Sequence, residues 1–476
     1  MQIVADLHLH SRYSRAVSQD MVLPTMARMA ALKGINLLTA SDWTHPLWFK
    51  EIQMQLDEVE NGIYALKSQI ANSKRQTNPK NQNSNNNTIT KFLLSTEIAS
   101  IFKQGGKLRR IHNLVFAPNF SVAEKISNAL RKRGCNLSSD GRPIIGLSSR
   151  ELLELILGID ERAFLIPCHV WTPHFGMYGS ASGFDSIIES FGDMGKYIYG
   201  IETGLSSDPD MNWQIPELAT RSILSFSDAH SPLKMGREAT IFVSKNGISN
   251  DPARSEARHG RQFPISNFSF GDIRLAIMRR SPKLRVGYTV EFYPEEGKYH
   301  FSGHRNCSIS YGPEDIEKNG NICPKCKRKL TEGVLVRVQQ LAGDSFNLNA
   351  LEKKNNYKLK WFTDPAGKHP PYVKMVPLLE VIAEAMGSSV ASIKVKEMYY
   401  KICQNVAPEL DILLKTQIEK IRKSVGDRIA EGVEKVREGN IFIEPGYDNL
   451  YGVVKIWHER EVEKIEVNEE EQMVLI

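Results

Sequence analysis

The chain has 476 residues, 41% of them hydrophobic and 24% charged, and its 61 Lys and Arg against 55 Asp and Glu leave a formal net charge of +6 at pH 7. These values suit a globular protein of two or three domains built around real cores, and lend only weak support to an anionic partner. No run approaches the roughly 18 to 20 apolar residues of a membrane span, no charged and then apolar leader opens the chain, and six cysteines are too few for a disulfide scaffold, so a cytoplasmic protein without a membrane partner is expected.

In chain order, residues 1–5 read as a strand, 24–33 as a helix, 35–40 as a strand and 47–71 as a helix. Strands are expected at 92–95, 114–117, 163–167, 198–202 and 223–227, with helices at 122–133 and 151–157 between them. Such alternation predicts an α/β layout around a largely parallel sheet or barrel, with ligands gathered at the carboxyl ends of the strands. Residues 72–90 are almost wholly Asn, Gln, Ser, Lys and Thr, too polar to offset ordering entropy, and read as a disordered Asn-rich insertion. A second polar loop covers 246–267 and an amphipathic helix 270–279, so a first unit is expected over 1–290.

A small cysteine-bearing module follows at 291–340, and 341–476 is expected to be mainly helical, notably over 411–437. It closes with a β-hairpin, 440–447 against 452–457, and an acidic tail whose last residues, 472–476, give a weak suggestion of a sliding-clamp peptide without its aromatic pair. Basic clusters at Lys107, Arg109 and Arg110, at Arg131 to Arg133 and at Arg279, Arg280, Lys283 and Arg285 could meet a phosphate backbone or be solvated surface.

The chemistry concentrates at strand ends. Seven of the twelve histidines lie in the first 230 residues. His8 and His10 end the first strand, where i, i+2 spacing in extended backbone points both to one side, as shared metal ligands require. Asp42 and His45 end the second strand, Glu97 the third, His112 precedes the next, His169 ends another, and Asp228 and His230 end the last. Six strand ends delivering His, Asp or Glu to one rim can hold two or three divalent cations, whether Zn, Mg or Mn. Clustered cations lower the pKa of water and neutralise a leaving oxygen, so little general-base work falls to side chains.

The opening Asp6-x-His8-x-His10-Ser11, the Ser41-Asp42 pair, Glu97 and the closing Asp228-x-His230 resemble the polymerase-and-histidinol-phosphatase (PHP) superfamily over roughly the first 240 residues. The resemblance implies a distorted (β/α)7 barrel whose trinuclear metal site hydrolyses phosphoesters, with His8, His10, Asp20, Glu97, His112, His169, Asp228 and His230 at ligand positions. Two departures leave alternatives open. Trp43 rather than His follows Asp42, so Asp42, His45 or both are candidates, and Asp20 is either a ligand or a cap for the helix at 24–33. Asp228, His230 and His10 are expected to carry the catalysis, Asp228 as the most sensitive carboxylate.

Longer strings, including Trp43-Thr44-His45-Pro46, Trp171-Thr172-Pro173-His174-Phe175-Gly176 and Glu202-Thr203-Gly204-Leu205, are similar to the endonuclease Q family across nearly the whole chain. That resemblance implies nicking of DNA on the 5′ side of deaminated bases (uracil, hypoxanthine, xanthine) or abasic sites, with double- or single-stranded damaged DNA as partner. Reading a damaged base requires turning it out of the stack, which makes Trp43, Trp48, Trp171, His174, Phe175 and Tyr178, all beside candidate ligands, candidate lesion or DNA contacts. A phosphatase for a small phosphate ester, a non-catalytic nucleic-acid-binding protein and a 3′–5′ exonuclease are the competing readings.

His304 and Cys307, then fifteen residues, then Cys323 and Cys326 form two ligand pairs with zinc spacing, which predicts one closed, structural Zn site. His300 is the alternative to His304. Lys325, Lys327, Arg328 and Lys329 around the second pair could touch phosphate.

Overall fold

A computed structural model describes residues 2–75, 89–245 and 267–457. The chain opens with β1 (Gln2–Asp6), α1 (Leu23–Lys33), β2 (Leu37–Thr39) and α2 (Pro46–Gln55). Next come β3 (Leu56–Glu60), β4 (Ile63–Leu66), α3 (Lys67–Arg75), the long β5 (Lys91–Gln104) and β6 (Lys107–Ala117). Then follow α4 (Phe120–Lys132), β7 (Ile144–Ile145), α5 (Ser149–Ile159), β8 (Phe164–Pro167) and α6 (Ile187–Phe191). The first unit finishes with β9 (Gly200–Glu202), α7 (Pro209–Trp213), β10 (Ser222–Leu224), β11 (Ala239–Ser244), α8 (Phe270–Ile277) and β12 (Leu284–Glu291).

Seven of these strands make a distorted α/β barrel. β1 pairs β2 and β2 pairs β5 in parallel, β5 pairs β6 and β6 pairs β8 antiparallel, and β9 pairs β10 in parallel. The ring closes just beyond the strands' carboxyl ends, where Val170 N donates to Glu202 O at 3.1 Å and His10 N to Ala229 O at 3.2 Å. One apolar cluster includes Ile3 and Ala5, Leu37, Leu93, Leu114, Ile166 and Leu224, from six of the seven staves, together with Phe270, Ile273 and Ile277 of α8. It therefore fills the ring from below and leaves the carboxyl-end rim for polar side chains.

The helix expected over 47–71 is a correction: it is α2, a β-hairpin and α3. Gly62 turns the hairpin at φ +72°, and a Cβ there would lie 2.5 Å from Pro118 O and 2.6 Å from Phe270 Cβ. The apolar run of β4 is buried throughout because it pairs antiparallel with β5, a tertiary partner that helical periodicity cannot register. Of the polar insertion expected at 72–90, residues 72–75 end α3 and 76–88 lie outside the described residues, as do 246–266 and the tail from 458 with its clamp-like end.

Beyond residue 290, β13 (Ser302–His304), β14 (Ile309–Tyr311), α9 (Pro313–Asn319) and α10 (Val334–Ala342) build the cysteine module. The next stretch departs from the helical expectation for 341–476, since β15 (Leu351–Lys354), β16 (Lys360–Thr363) and β17 (Tyr372–Lys374) extend the barrel's sheet through β12. Helices then do follow: α11 (Leu378–Ala385), α12 (Ile393–Asn405), α13 (Glu409–Leu414), α14 (Ile418–Val425) and α15 (Asp427–Glu438). The hairpin is β18 (Phe442–Glu444) antiparallel to β19 (Val453–Lys455). Among the described residues, no helix is long and apolar enough to cross a membrane.

A buried ion pair joins the helical region to the barrel. Lys33 at the end of α1 contacts Glu409 of α13 at 2.5 Å, and Glu409 also accepts from Tyr399 Oη at 2.6 Å and Leu378 N at 3.0 Å. Removing one partner strands the other charge in a dry environment. Lys33→Met should therefore cost about 3–5 kcal/mol in urea unfolding, with Lys33→Met/Glu409→Gln recovering much of it. Equal losses for single and double variants would show that the pair is not coupled.

Candidate metal centre

The carboxyl-end rim brings together residues up to 222 positions apart, from His8 to His230. His8, His10 and Glu97 form one ligand group, Glu97, His112 and His169 a second, and His10, Asp228 and His230 a third, the ligand atoms in each lying within 4.8 Å of one another. Glu97 is the shared wall. Its Oε1 faces His112 Nδ1 at 2.5 Å and His169 Nε2 at 3.1 Å, while its Oε2 faces His10 Nε2 at 3.3 Å and His8 Nε2 at 3.8 Å. Asp228 Oδ1 stands on the other side, 2.9 Å from His10 Nε2 and 3.6 Å from His8 Nε2.

Local backbone places these groups. Asp42, His169 and Asp228 have left-handed φ values of 54°, 28° and 46°, a region that L residues visit at a cost of roughly 1–3 kcal/mol each. Each lies just past the end of β2, β8 or β10, where the turn swings a side chain back toward the ring instead of continuing outward.

The residues fit cations. His8 Nε2 is buried with no hydrogen-bond partner among the described residues, a condition that costs about 1–3 kcal/mol unless something binds there. Glu202 takes the Nδ1 hydrogen of His8 at 2.9 Å, which leaves the Nε2 lone pair aimed between Glu97 and Asp228. Burial opposes charge at Asp228 and Glu97, yet the surrounding imidazoles, with Arg142 beside Glu97, outweigh it and hold both carboxyls below their ordinary range. Burial likewise opposes charge on His8 and His10, but the carboxylates raise both well above an ordinary histidine. Protons and cations therefore compete for the same nitrogens.

The structure separates the expected ligands. His8, His10, Glu97, His112, His169, Asp228 and His230 converge, whereas Asp20, Asp42 and His45 do not belong to any of these groups. Asp20 is exposed, and the cap position of α1 is Val22, so Asp20 does not cap that helix. The Asp42 carboxylate accepts from Ser11 N at 2.6 Å, Ser14 Oγ at 2.8 Å and His10 Nδ1 at 3.3 Å; it orients the His10 ring from behind. His45 caps α2 by accepting from Trp48 N, and its Nε2 meets Ser138 O at 3.2 Å. A short polar spacing in sequence cannot distinguish a ligand from the residue that steers one.

Sequence reasoning missed Glu202 and Arg142. Glu202, buried at the end of β9, also accepts from His169 N at 2.8 Å, so one carboxylate braces two of the converging histidines. Its strand-end position was the available signal. Cys168 lies near His8 and Glu202, but burial pushes its thiol well above the usual range and keeps it protonated.

Most of the aromatic candidates are buried. Trp43, Trp48, Trp171 and Tyr178 are buried; Trp48 Nε1 donates to Ser41 O, Trp171 Nε1 to Asn212 Oδ1 and Tyr178 Oη to Glu217 Oε1. Phe175 remains half-buried with its ring 4.6 Å from that of His112, and His174 is exposed 6.4 Å from Tyr299. Among the basic clusters, Arg109 donates to Gly183 O and lies 4.1 Å over Phe184, while Arg279 donates to Ala219 O at 3.0 Å.

In the cysteine module, His304, Cys307, Cys323 and Cys326 gather within 4.8 Å, with His304 Nδ1 3.3 Å from Cys326 Sγ. His300 is buried and lies outside that group. The second pair turns back through Cys323 N to Arg328 O at 2.8 Å, and Lys325, Lys327, Arg328 and Lys329 are exposed around it. Asp448 of the terminal hairpin clamps the module, accepting from Arg305 N at 2.7 Å and Thr331 Oγ1 at 2.6 Å.

Two further carboxyls, Glu238 just before β11 and Glu291 at the end of β12, are fully buried, and each has one oxygen without a hydrogen-bond partner among the described residues. Burial pushes Glu291 up to about 8 although Thr203 and Ser225 hydroxyls donate to it. The folded chain thus keeps Glu291 neutral where the unfolded chain ionises, so its contribution is full below about 4.5 and is lost as pH rises to about 8. Glu291→Gln should raise the urea midpoint more at pH 8 than at pH 5; equal shifts at the two values would contradict a neutral buried acid.

A family profile described as the MJ0043 C-terminal domain matches residues 377–440. The chain is 29% identical over 301 residues to uncharacterized protein MJ0043 of Methanocaldococcus jannaschii, spanning 61% of this chain and only 33% of that relative's length. It is 25% identical over 472 residues to uncharacterized protein YqxK of Bacillus subtilis strain 168, covering 95% of this chain and 99% of the other. Among solved structures it is similar to the lesion-specific endonuclease PfuEndoQ from Pyrococcus furiosus, with 27% identity, 96% of each chain covered and a TM-score of 0.73. A second similar structure is endonuclease Q with a 27-mer duplex carrying an abasic lesion at its active site, with 28% identity, 96% and 98% coverage and a TM-score of 0.73.

Proposed function

We propose that this chain, which belongs to the endonuclease Q family, is a metal-dependent DNA repair endonuclease that nicks the phosphodiester on the 5′ side of an abasic site or of a deaminated base, namely uracil, hypoxanthine or xanthine. The observation carrying the reading is the similarity of 96% of the chain to an enzyme holding an abasic duplex at its active site, together with three adjoining ligand groups on the same rim.

Two or three divalent ions at His8, His10, Glu97, His112, His169, Asp228 and His230 would activate water and neutralise phosphate charge. The chain's own residues do the rest. Glu97 spans two ligand groups and fixes their separation, and Asp228 supplies negative charge on the half-open side. His230, its Nδ1 donating to Asp228 O at 2.8 Å, is held in one orientation, and its second nitrogen has no hydrogen-bond partner among the described residues. Burial lowers the His230 pKa, so it stays neutral near pH 7 and able to bind a cation or accept a proton. His174 and Phe175 are the aromatic candidates left near the mouth for a displaced base. A structural zinc at His304, Cys307, Cys323 and Cys326 would lock the module that presents Lys325, Lys327, Arg328 and Lys329 to the duplex.

The test uses end-labelled duplexes with uracil, hypoxanthine, xanthine or an abasic site, in Mg²⁺ or Mn²⁺. One discrete product on the 5′ side of the lesion is expected. A ladder would indicate an exonuclease, and turnover of p-nitrophenyl phosphate without any nick would indicate a small-substrate phosphatase.

A further inference from the structure

We infer that Arg142, which no expected ligand pattern includes, is the residue that grips the scissile phosphate, an inference that rests on the phosphoesterase reading of the rim. Its guanidinium donates to Glu97 Oε2 at 3.2 Å, the same oxygen that faces His8 and His10. Among the described residues Glu97 is its only hydrogen-bonded partner, so most of the five donors are uncommitted. With 26% of its side chain exposed, the guanidinium lies between the buried ligand group and solvent.

The backbone beneath it is built for position. Gly141 N donates to Tyr13 O at 3.0 Å, Thr44 Oγ1 to Gly141 O at 3.4 Å, Arg142 N to Asp140 Oδ1 at 3.1 Å and Ala99 N to Pro143 O at 3.0 Å. A Cβ at residue 141 would stand 2.4 Å from Ser14 Oγ and 2.6 Å from Asp42 Oδ2, so the segment presses directly on the residues behind His10. Such anchoring holds the arginine at the rim whichever anion it faces.

Arg142 is always charged, and a cation held by His8, His10 and Glu97 would sit beside it with like sign. The guanidinium then turns its donors from Glu97 to the open side, where the next anion to arrive is the substrate phosphate. Without cations it neutralises Glu97; with them it becomes a forked phosphate donor, and no rearrangement of the chain is needed.

The test compares wild type with Arg142→Gln and Arg142→Lys in three measurements: metal per chain, inhibition of phosphoester turnover by inorganic phosphate, and affinity for an abasic duplex in Ca²⁺ across salt. For Arg142→Gln, unchanged metal content, roughly tenfold weaker phosphate inhibition, and a salt slope smaller by about one are expected. Arg142→Lys should restore the salt slope but less of the turnover, because an ammonium lacks the planar fork. Arg142→Gln with wild-type phosphate inhibition overturns the proposal. So does a variant that merely loses metal and regains phosphate inhibition at higher metal concentration, since Arg142 would then act only on Glu97. The phosphate measurement needs no DNA, so failure to nick lesions would sink the nuclease reading and leave this one standing or falling separately.

Discussion

Asp228→Ala is expected to lower the rate of nicking at an abasic site by about a thousandfold or more, the scale of a catalytic group that acts on transition-state charge. Asp228 Oδ1 lies within 2.9 Å of His10 Nε2 and 3.6 Å of His8 Nε2, and its carboxylate belongs to the ligand group of His10 and His230. Alanine removes a negative charge from a site that must hold several positive ones, and it leaves the histidines without their shared acceptor. The fold should survive because the barrel's apolar cluster does not use this side chain. Duplex affinity in Ca²⁺ within a few-fold of wild type, with nicking lost, is the expected pair of readings. Asp228→Asn, which keeps the volume but not the charge, should be nearly as impaired. Nicking within tenfold of wild type in either variant would remove Asp228 from the chemistry.

The second large effect is expected at the cysteine module. Cys323→Ser/Cys326→Ser should lose one metal ion per chain, expose residues 302–333 to limited proteolysis and weaken duplex binding, while the barrel keeps its own metals. Structural zinc supplies about 10–16 kcal/mol to isolated finger peptides. Here part of the order comes from elsewhere, because Asp448 holds Arg305 N and Thr331 Oγ1. The module should therefore loosen without the chain unfolding, and Asp448→Ala added to the cysteine variant should produce the larger collapse. Unchanged metal content in the double-serine variant would show that these residues do not bind an ion.

The histidines that gather at the rim were legible because their signal is short-ranged. His8 and His10 share a face through the two-residue period of extended chain, and Cys323 and Cys326 through a single turn. Strand ends carrying His, Asp or Glu singled out His112, His169, Asp228 and His230, which all reach the same rim. The terminal hairpin was also local, since a few turn residues bring β18 onto β19.

What the chain by itself determined is therefore the inventory: which side chains can bind a cation, which stretches alternate as strand and helix, and which His and Cys residues of the second module pair. Only the tertiary structure decided what each does. It put Asp42 behind His10 and made His45 a helix cap, left Asp20 in solvent, buried Trp43, Trp171 and Tyr178, and brought Glu202 and Arg142 to ligands that are remote in sequence. The reason is physical. Periodicity records which way a side chain points from its own backbone, whereas binding, capping and burial depend on what the rest of the fold places opposite it.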